Sequence, residues 1–201
     1  MRTDKYLAEF LGTLLLMMGV LASGGNPVVV GLALAVGIFF SAKISGGHLN
    51  PAVSIYFYAK KQLSLSELGT YIVAQLLGGF AGAYLGGFLT GRQLVGPSTS
   101  ATAPGTAAIV GEILATAVLV WIVGSLAANG KGNLIPWAVG LWISAAAAFT
   151  ATGAQANPAV SFGLMFTGKG VAEIGWLIVA QLAGTAIAVL VMAFFGKQKN
   201  S

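Results

Sequence analysis

The five-residue word NPAVS occurs twice, as Asn50 to Ser54 and as Asn157 to Ser161. Each copy sets a polar amide and a helix-breaking proline inside strongly apolar sequence. The other groups that stand out chemically are Glu9, Glu112 and the single histidine, His48. A primary amide does not attack or carry protons at neutral pH; it donates and accepts hydrogen bonds. There is no cysteine, which excludes disulfides, thiolate metal ligands and thiol nucleophiles. A lone histidine with no nearby carboxylate makes no metal site, and no nucleophile–base pair is visible, so neither an enzyme nor a bound cofactor is expected. What the paired Asn offer is recognition of a neutral molecule that bears lone pairs.

The surroundings say which solvent these amides sit in. Hydrophobic residues make up 57% of the chain and charged residues 7%, with 29 Gly in 201 residues. A soluble domain carries about a quarter charged residues, so this is the balance of a membrane protein. The net charge of +5 comes from ten scattered Lys and Arg, too few for a nucleic-acid groove. Stretches near the ~20 residues needed to span a bilayer run about Tyr6–Ala22, Pro27–Ile44, Leu68–Thr90, Thr106–Ala128, Leu134–Thr152 and Val171–Phe195. The first is too long for a secretory signal and is interrupted by Glu9, so it reads as a transmembrane helix. Ser64 and Glu67 form a candidate capping box before the third.

The repeated word belongs to a larger repeat. NPAVS recurs at an offset of 107 (157 − 50), IVAQL at 106 (178 − 72), and AEFLGT echoes as GEILAT at 103 (111 − 8). The expected organisation is one transmembrane channel domain, 1–201, with repeat one about 1–95, a linker loop about 91–105 and repeat two about 106–201. Three spans per repeat turn the second half upside down relative to the first. Charge agrees: with both termini cytoplasmic, Arg2, Lys5, Lys43, Lys60, Lys61, Lys131, Lys197 and Lys199 lie inside, and only Arg92 and Lys169 outside.

The segments between Ile44 and Leu68 and between Thr152 and Val171 are too short for another crossing and too apolar for a wet loop. Each reads as a half-helix of about nine residues, roughly 13–14 Å long. Two end to end cover ~27 Å, near the ~30 Å hydrocarbon thickness. Inversion brings their N-termini together at the midplane. Asn50 and Asn157 suit the N-cap, Pro51 and Pro158 the first helical position, and Ala52 and Ala159 keep the helix starts slim. The capping oxygen is then spoken for, and each NH₂ is expected to face a pore. Each helix start adds up to roughly half a positive charge. Such a site accepts water and repels cations.

Paired NPA boxes in an inverted six-span repeat, with AEFLGT, SGGHLNPAVS and GE in the fourth span, resemble the aquaporin (major intrinsic protein) family. The resemblance implies an all-α membrane protein with six transmembrane helices plus two re-entrant half-helices. It also implies a homotetramer with one pore per subunit, multi-pass in the cell (plasma or inner) membrane, passively conducting water or small neutral solutes. Ser161 resembles the water-conducting branch, since glycerol-conducting relatives usually carry Asp there. One departure stands out: the family's second box normally continues with Arg, where this chain has Val160. Carried over, the selectivity filter is Val30, Ala147 (or Ala145), Ala154 and Val160, small and without charge. Losing an Arg removes several donors and a bulky planar group. The expectation is a relaxed filter that passes ammonia, small alcohols, urea or glycerol besides water, or one that obstructs flow by dewetting.

Glu9 and Glu112 occupy matching positions in the two repeats. A carboxylate there is either a proton relay or an acceptor for non-helical backbone beside a half-helix, and the resemblance favours support. His48 is read as ordering its loop, with gating as the alternative. The competing functions are a channel mainly for another small neutral solute with low water flux, and a coupled secondary transporter, which shares inverted repeats and broken helices.

Overall fold

Proline marks the start of four of the helices, including both short ones. The computed structural model describes residues 3–100 and 102–198, with side chains to residue 195. Arg2, Lys199 and the side chain of Lys197 lie outside the described residues. The helices are α1 (Thr3–Ala22), α2 (Pro27–Ser45), α3 (Pro51–Ala59), α4 (Leu65–Leu89), α5 (Thr106–Ala128), α6 (Ile135–Phe149), α7 (Pro158–Leu164) and α8 (Val171–Gln198). Prolines 27, 51, 136 and 158 each sit in the first turn of a helix, where a missing N–H costs nothing. Six helical segments are long and apolar enough to cross a bilayer, and α3 and α7 are the two short ones between them.

Several boundaries shift from expectation by one to three residues, and α8 runs on to Gln198 rather than Phe195. Helix α1 begins at Thr3 rather than Tyr6. Helix α4 begins at Leu65 rather than Leu68, because Ser64 and Glu67 close a complete capping box. Helix α6 ends at Phe149 rather than Thr152; Thr150 turns to an extended conformation, and the chain runs on toward Glu112. Helix α7 has seven residues rather than about nine. Past it the chain turns and pairs with the linker loop through bridges Val95–Thr167 and Ser98–Gly170, which no apolar pattern announces.

The two repeats pack alike: α1 lies on α4, α5 on α8, and α2 crosses α6 where the halves meet. Small residues set the closeness. Gly78, Gly82 and Gly86 recur every four residues along α4, and a Cβ on any of them would press on the α1 backbone at Phe10, Leu14 or Met18. Gly184 does the same against Ile113 of α5. Large apolar side chains such as Phe88, Leu141 and Leu190 point outward, a solvent-facing fault in water but the normal surface of a protein in lipid.

Gly79 has a different neighbour. A Cβ there would collide with the carbonyl oxygen of Ala159, in the first turn of α7, and one on Gly163 would come 2.8 Å from the Gly79 carbonyl. Gly79→Ala is therefore expected to destabilise by about 1–3 kcal/mol, since the obstacle is backbone. Gly69, also in α4, faces open space. Gly69→Ala should leave the apparent melting temperature in detergent unchanged or raise it, while Gly79→Ala lowers it.

Candidate functional site

Each short helix is started by its own asparagine. Asn50 and Asn157 are extended residues whose Oδ1 atoms accept from the Ala52 and Ala159 N–H groups, both at 2.9 Å. This satisfies one orphan donor per helix start. The two starts meet. Asn50 Nδ2 donates to the Ala156 carbonyl at 2.8 Å, and Asn157 Nδ2 donates to the Leu49 carbonyl at 2.9 Å. The expectation that each NH₂ faces a pore needs correcting: one hydrogen of each straps the repeats together. An amide has two such hydrogens, so one per Asn remains.

The strap requires a carbonyl turned toward the opposite repeat, and the backbone is bent to provide it. Leu49 and Ala156 have φ of 50° and 45°, in the left-handed region. For a residue with a Cβ this costs roughly 1–2 kcal/mol. What holds it is a carboxylate. Glu9 accepts at Oε1 from Ser45 Oγ (2.6 Å) and the His48 N–H (2.9 Å), and at Oε2 from the Leu49 N–H (2.6 Å) and Gln75 Nε2 (2.7 Å). Glu112 repeats the pattern: Thr152 Oγ1 and the Gln155 N–H (2.9 Å) on Oε1, the Ala156 N–H (2.8 Å) and Gln181 Nε2 (2.6 Å) on Oε2. Both carboxylates are fully buried, and neither lines the two cavities that reach the asparagines.

A second tier lies behind them. Ser54 Oγ accepts from Gln75 Nε2 (2.9 Å) and pairs with His48 Nδ1 (3.1 Å). Ser161 Oγ accepts from Gln181 Nε2 (2.9 Å) and donates to Gln155 Oε1 (2.6 Å). His48 thus orders its loop as Gln155 orders the other; its ring stacks on Phe57 at 4.5 Å and helps wall the narrow cavity described next. Sequence reasoning gave no structural role to Ser54 or Gln155, and used Ser161 only as a branch marker. The signal was present, since the two serines are the last letters of the repeated word.

Two cavities approach the asparagines. A wide one of about 780 Å³ runs from the linker-loop side, with Arg92 and the Lys169–Glu173 ion pair (3.2 Å) in its rim, down to both Asn50 and Asn157. Val30, Ala154 and Val160 are in its wall. Ala147 is not. It stands half-buried on α6 one turn beyond Ile143, continuing the stripe Ile135, Val139, Ile143 that faces the cavities, whereas Ala145 is exposed on another face. On the opposite side of Asn50 is a cavity of only about 30 Å³. Asn50 therefore stands at the junction of a broad cavity and a narrow one, with Asn157 beside it in the wall of the broad one.

The family model described as Major intrinsic protein matches residues 2–192. Aquaporin TIP2-1 of Arabidopsis thaliana is 36% identical over 211 residues, covering 89% of this chain and 84% of that protein. Aquaglyceroporin AqpS of Rhizobium meliloti (strain 1021) is 29% identical, covering 94% and 89%. Among solved structures, the aquaglyceroporin from Plasmodium falciparum superposes with a TM-score of 0.77 at 26% identity, covering 94% of this chain and 95% of that one.

Proposed function

The chain belongs to the major intrinsic protein family, whose members are membrane channels for water or small solutes, and from that premise we propose that it is a water channel with relaxed selectivity. Water passes in contact with the free N–H groups of Asn50 and Asn157, and small neutral solutes such as ammonia, urea or glycerol follow. Cations are repelled by the two helix starts that meet at the asparagines, while the rim carboxylate, Glu173, is paired with Lys169. Arg92 in the rim adds to that repulsion. Both termini are cytoplasmic, the membrane is the cell membrane, and four copies assemble with one pore each.

The observation that carries this reading is the strap itself: two capped helix starts, joined through Asn50 and Asn157, at the foot of a cavity wide enough for several waters. The relaxed selectivity rests on the wall. Val30, Ala154 and Val160 offer no side-chain donor, so these three side chains discriminate a hydroxyl or amide solute from water only by size.

Reconstituted in proteoliposomes, the protein should accelerate osmotic shrinkage over empty vesicles, independently of sodium and proton gradients. Shrinkage at the empty-vesicle rate would overturn the reading, and dependence on an ion gradient would replace a channel by a coupled transporter. Val160→Arg is expected to reduce urea and glycerol flux by roughly tenfold or more, the scale on which a pocket discriminates by size, while water flux is largely kept. Unchanged solute flux in that variant would mean that Val160 does not line the conducting path.

A further inference from the structure

The inverted repeat gives every residue of the pore wall a counterpart on the other side of the asparagines. For the half-helices and their loops the offset is 107 (157 − 50), so Val160 corresponds to Val53 and Ala154 to Gly47. For α2 and α6 the structure fixes the offset at the crossing. A Cβ on Gly31 would meet the Gly140 carbonyl, and one on Gly140 would meet the Gly31 carbonyl at 2.8 Å. This reciprocal contact gives 109 (140 − 31), and the prolines opening the two helices agree (136 − 27). Val30 then corresponds to Val139, and Ala147 to Ile38.

The four residues of the expected filter thus have an image made of Ile38, Gly47, Val53 and Val139. All four wall the narrow cavity. The rings are not equivalent. The expected filter reads Val, Ala, Ala and Val, with Ala147 outside the wide cavity's wall, whereas the image reads Val, Ile, Gly and Val, all four in the narrow cavity's wall. Ile38 brings three carbons more than Ala147, and Gly47 recovers only one. Ile38, Val53 and Val139 are all buried, and Gly47 is held at φ 65° against Ser41 and Ala42, where a side chain would be strained. A space of about 30 Å³ is enough for only one or two waters in line. The other side is open.

We propose that solutes are selected by size at the ring of Ile38, Gly47, Val53 and Val139, on the Lys60 side of the asparagine pair, rather than at Val30, Ala154 and Val160. This rests on the channel reading above and adds where its cut-off lies. With the Arg position occupied by Val160, the entrance admits molecules that the second ring then sorts. Water, small enough to pass in single file beside Asn50, is least hindered.

The test compares two openings of the pore. Water and glycerol permeabilities of proteoliposomes are measured by light scattering for the wild type, Ile38→Ala, Val139→Ala and Val30→Ala. Ile38→Ala is expected to raise the glycerol-to-water ratio by roughly tenfold, Val139→Ala by less, and Val30→Ala least. Should Ile38→Ala not fold, Val139→Ala probes the same ring from the other repeat. If the wild type conducts water but Val30→Ala raises the ratio more than either narrow-side variant, the proposal is wrong and the channel reading stands. If the wild type conducts nothing, both fall together.

Discussion

Glu112→Gln is expected to reduce water flux to that of empty vesicles and to lower the apparent melting temperature steeply, and Glu9→Gln to do the same. The carboxylate of Glu112 meets four donors, two on each oxygen: Thr152 Oγ1, the Gln155 and Ala156 N–H groups and Gln181 Nε2. A glutamine keeps one acceptor oxygen and turns an NH₂ toward the other two donors. An unsatisfied buried donor costs about 1–3 kcal/mol, so two cost roughly 2–6 kcal/mol before the donor–donor contact is counted. Whole proteins are stable by only about 5–15 kcal/mol. The left-handed conformation of Ala156 also loses its anchor, and with it the carbonyl that Asn50 uses. Glu112→Asp, which keeps the charge on a shorter arm, should fall between the two. A proton relay makes a different forecast: the glutamine variant would fold and conduct water normally, with only proton movement altered. That outcome would overturn the supporting role.

Much of this site was legible because its logic is local. An Asn before a Pro before an apolar run is a helix start wherever it occurs, and hydropathy with a doubled offset is enough to lay out an inverted repeat. The layout failed where a distant partner decides the geometry. Nothing in the types of Leu49 and Ala156 marks them as left-handed; Gly or Asn would be the usual signal. They are held there by carboxylates 40 and 44 residues away. The acceptors of the asparagine amides are backbone carbonyls 106 and 108 residues distant, and carbonyls carry no sequence signature. Past the end of α7 the chain again meets a distant partner, pairing with the linker loop at Thr167 and Gly170. The run Ala145 to Ala148 has no periodicity of its own, so only the helix beneath it shows that Ala147, not Ala145, continues the inward stripe. Ile38 looked like any residue of an apolar span until the crossing of α2 and α6 supplied its counterpart.

The asparagine pair allows a sharper test of what keeps ions out, because aspartate separates its two jobs. Asp is as good an N-cap as Asn, so Asn157→Asp leaves the bond to the Ala159 N–H and the start of α7 in place. What changes is the other end of the side chain. The donor to the Leu49 carbonyl becomes an oxygen facing an oxygen, and the hydrogen left for the pore becomes negative charge. Two helix starts contribute at most roughly one positive charge between them; one carboxylate cancels it, and a second in Asn50→Asp inverts it. The single variant should therefore conduct less water, through the broken strap, and begin to leak cations. The double variant should leak more, with a potential-sensitive dye in sodium-loaded vesicles at mildly alkaline pH as the readout. Asn157→Ala is the matched comparison: it loses cap and donor without adding charge, so it should lose water flux and stability but pass no cations. If the aspartate variants conduct water at the wild-type rate and hold a sodium gradient, the positive field of the meeting helix starts is not the barrier. Ion exclusion would then have to come from dehydration in the narrow ring around Ile38.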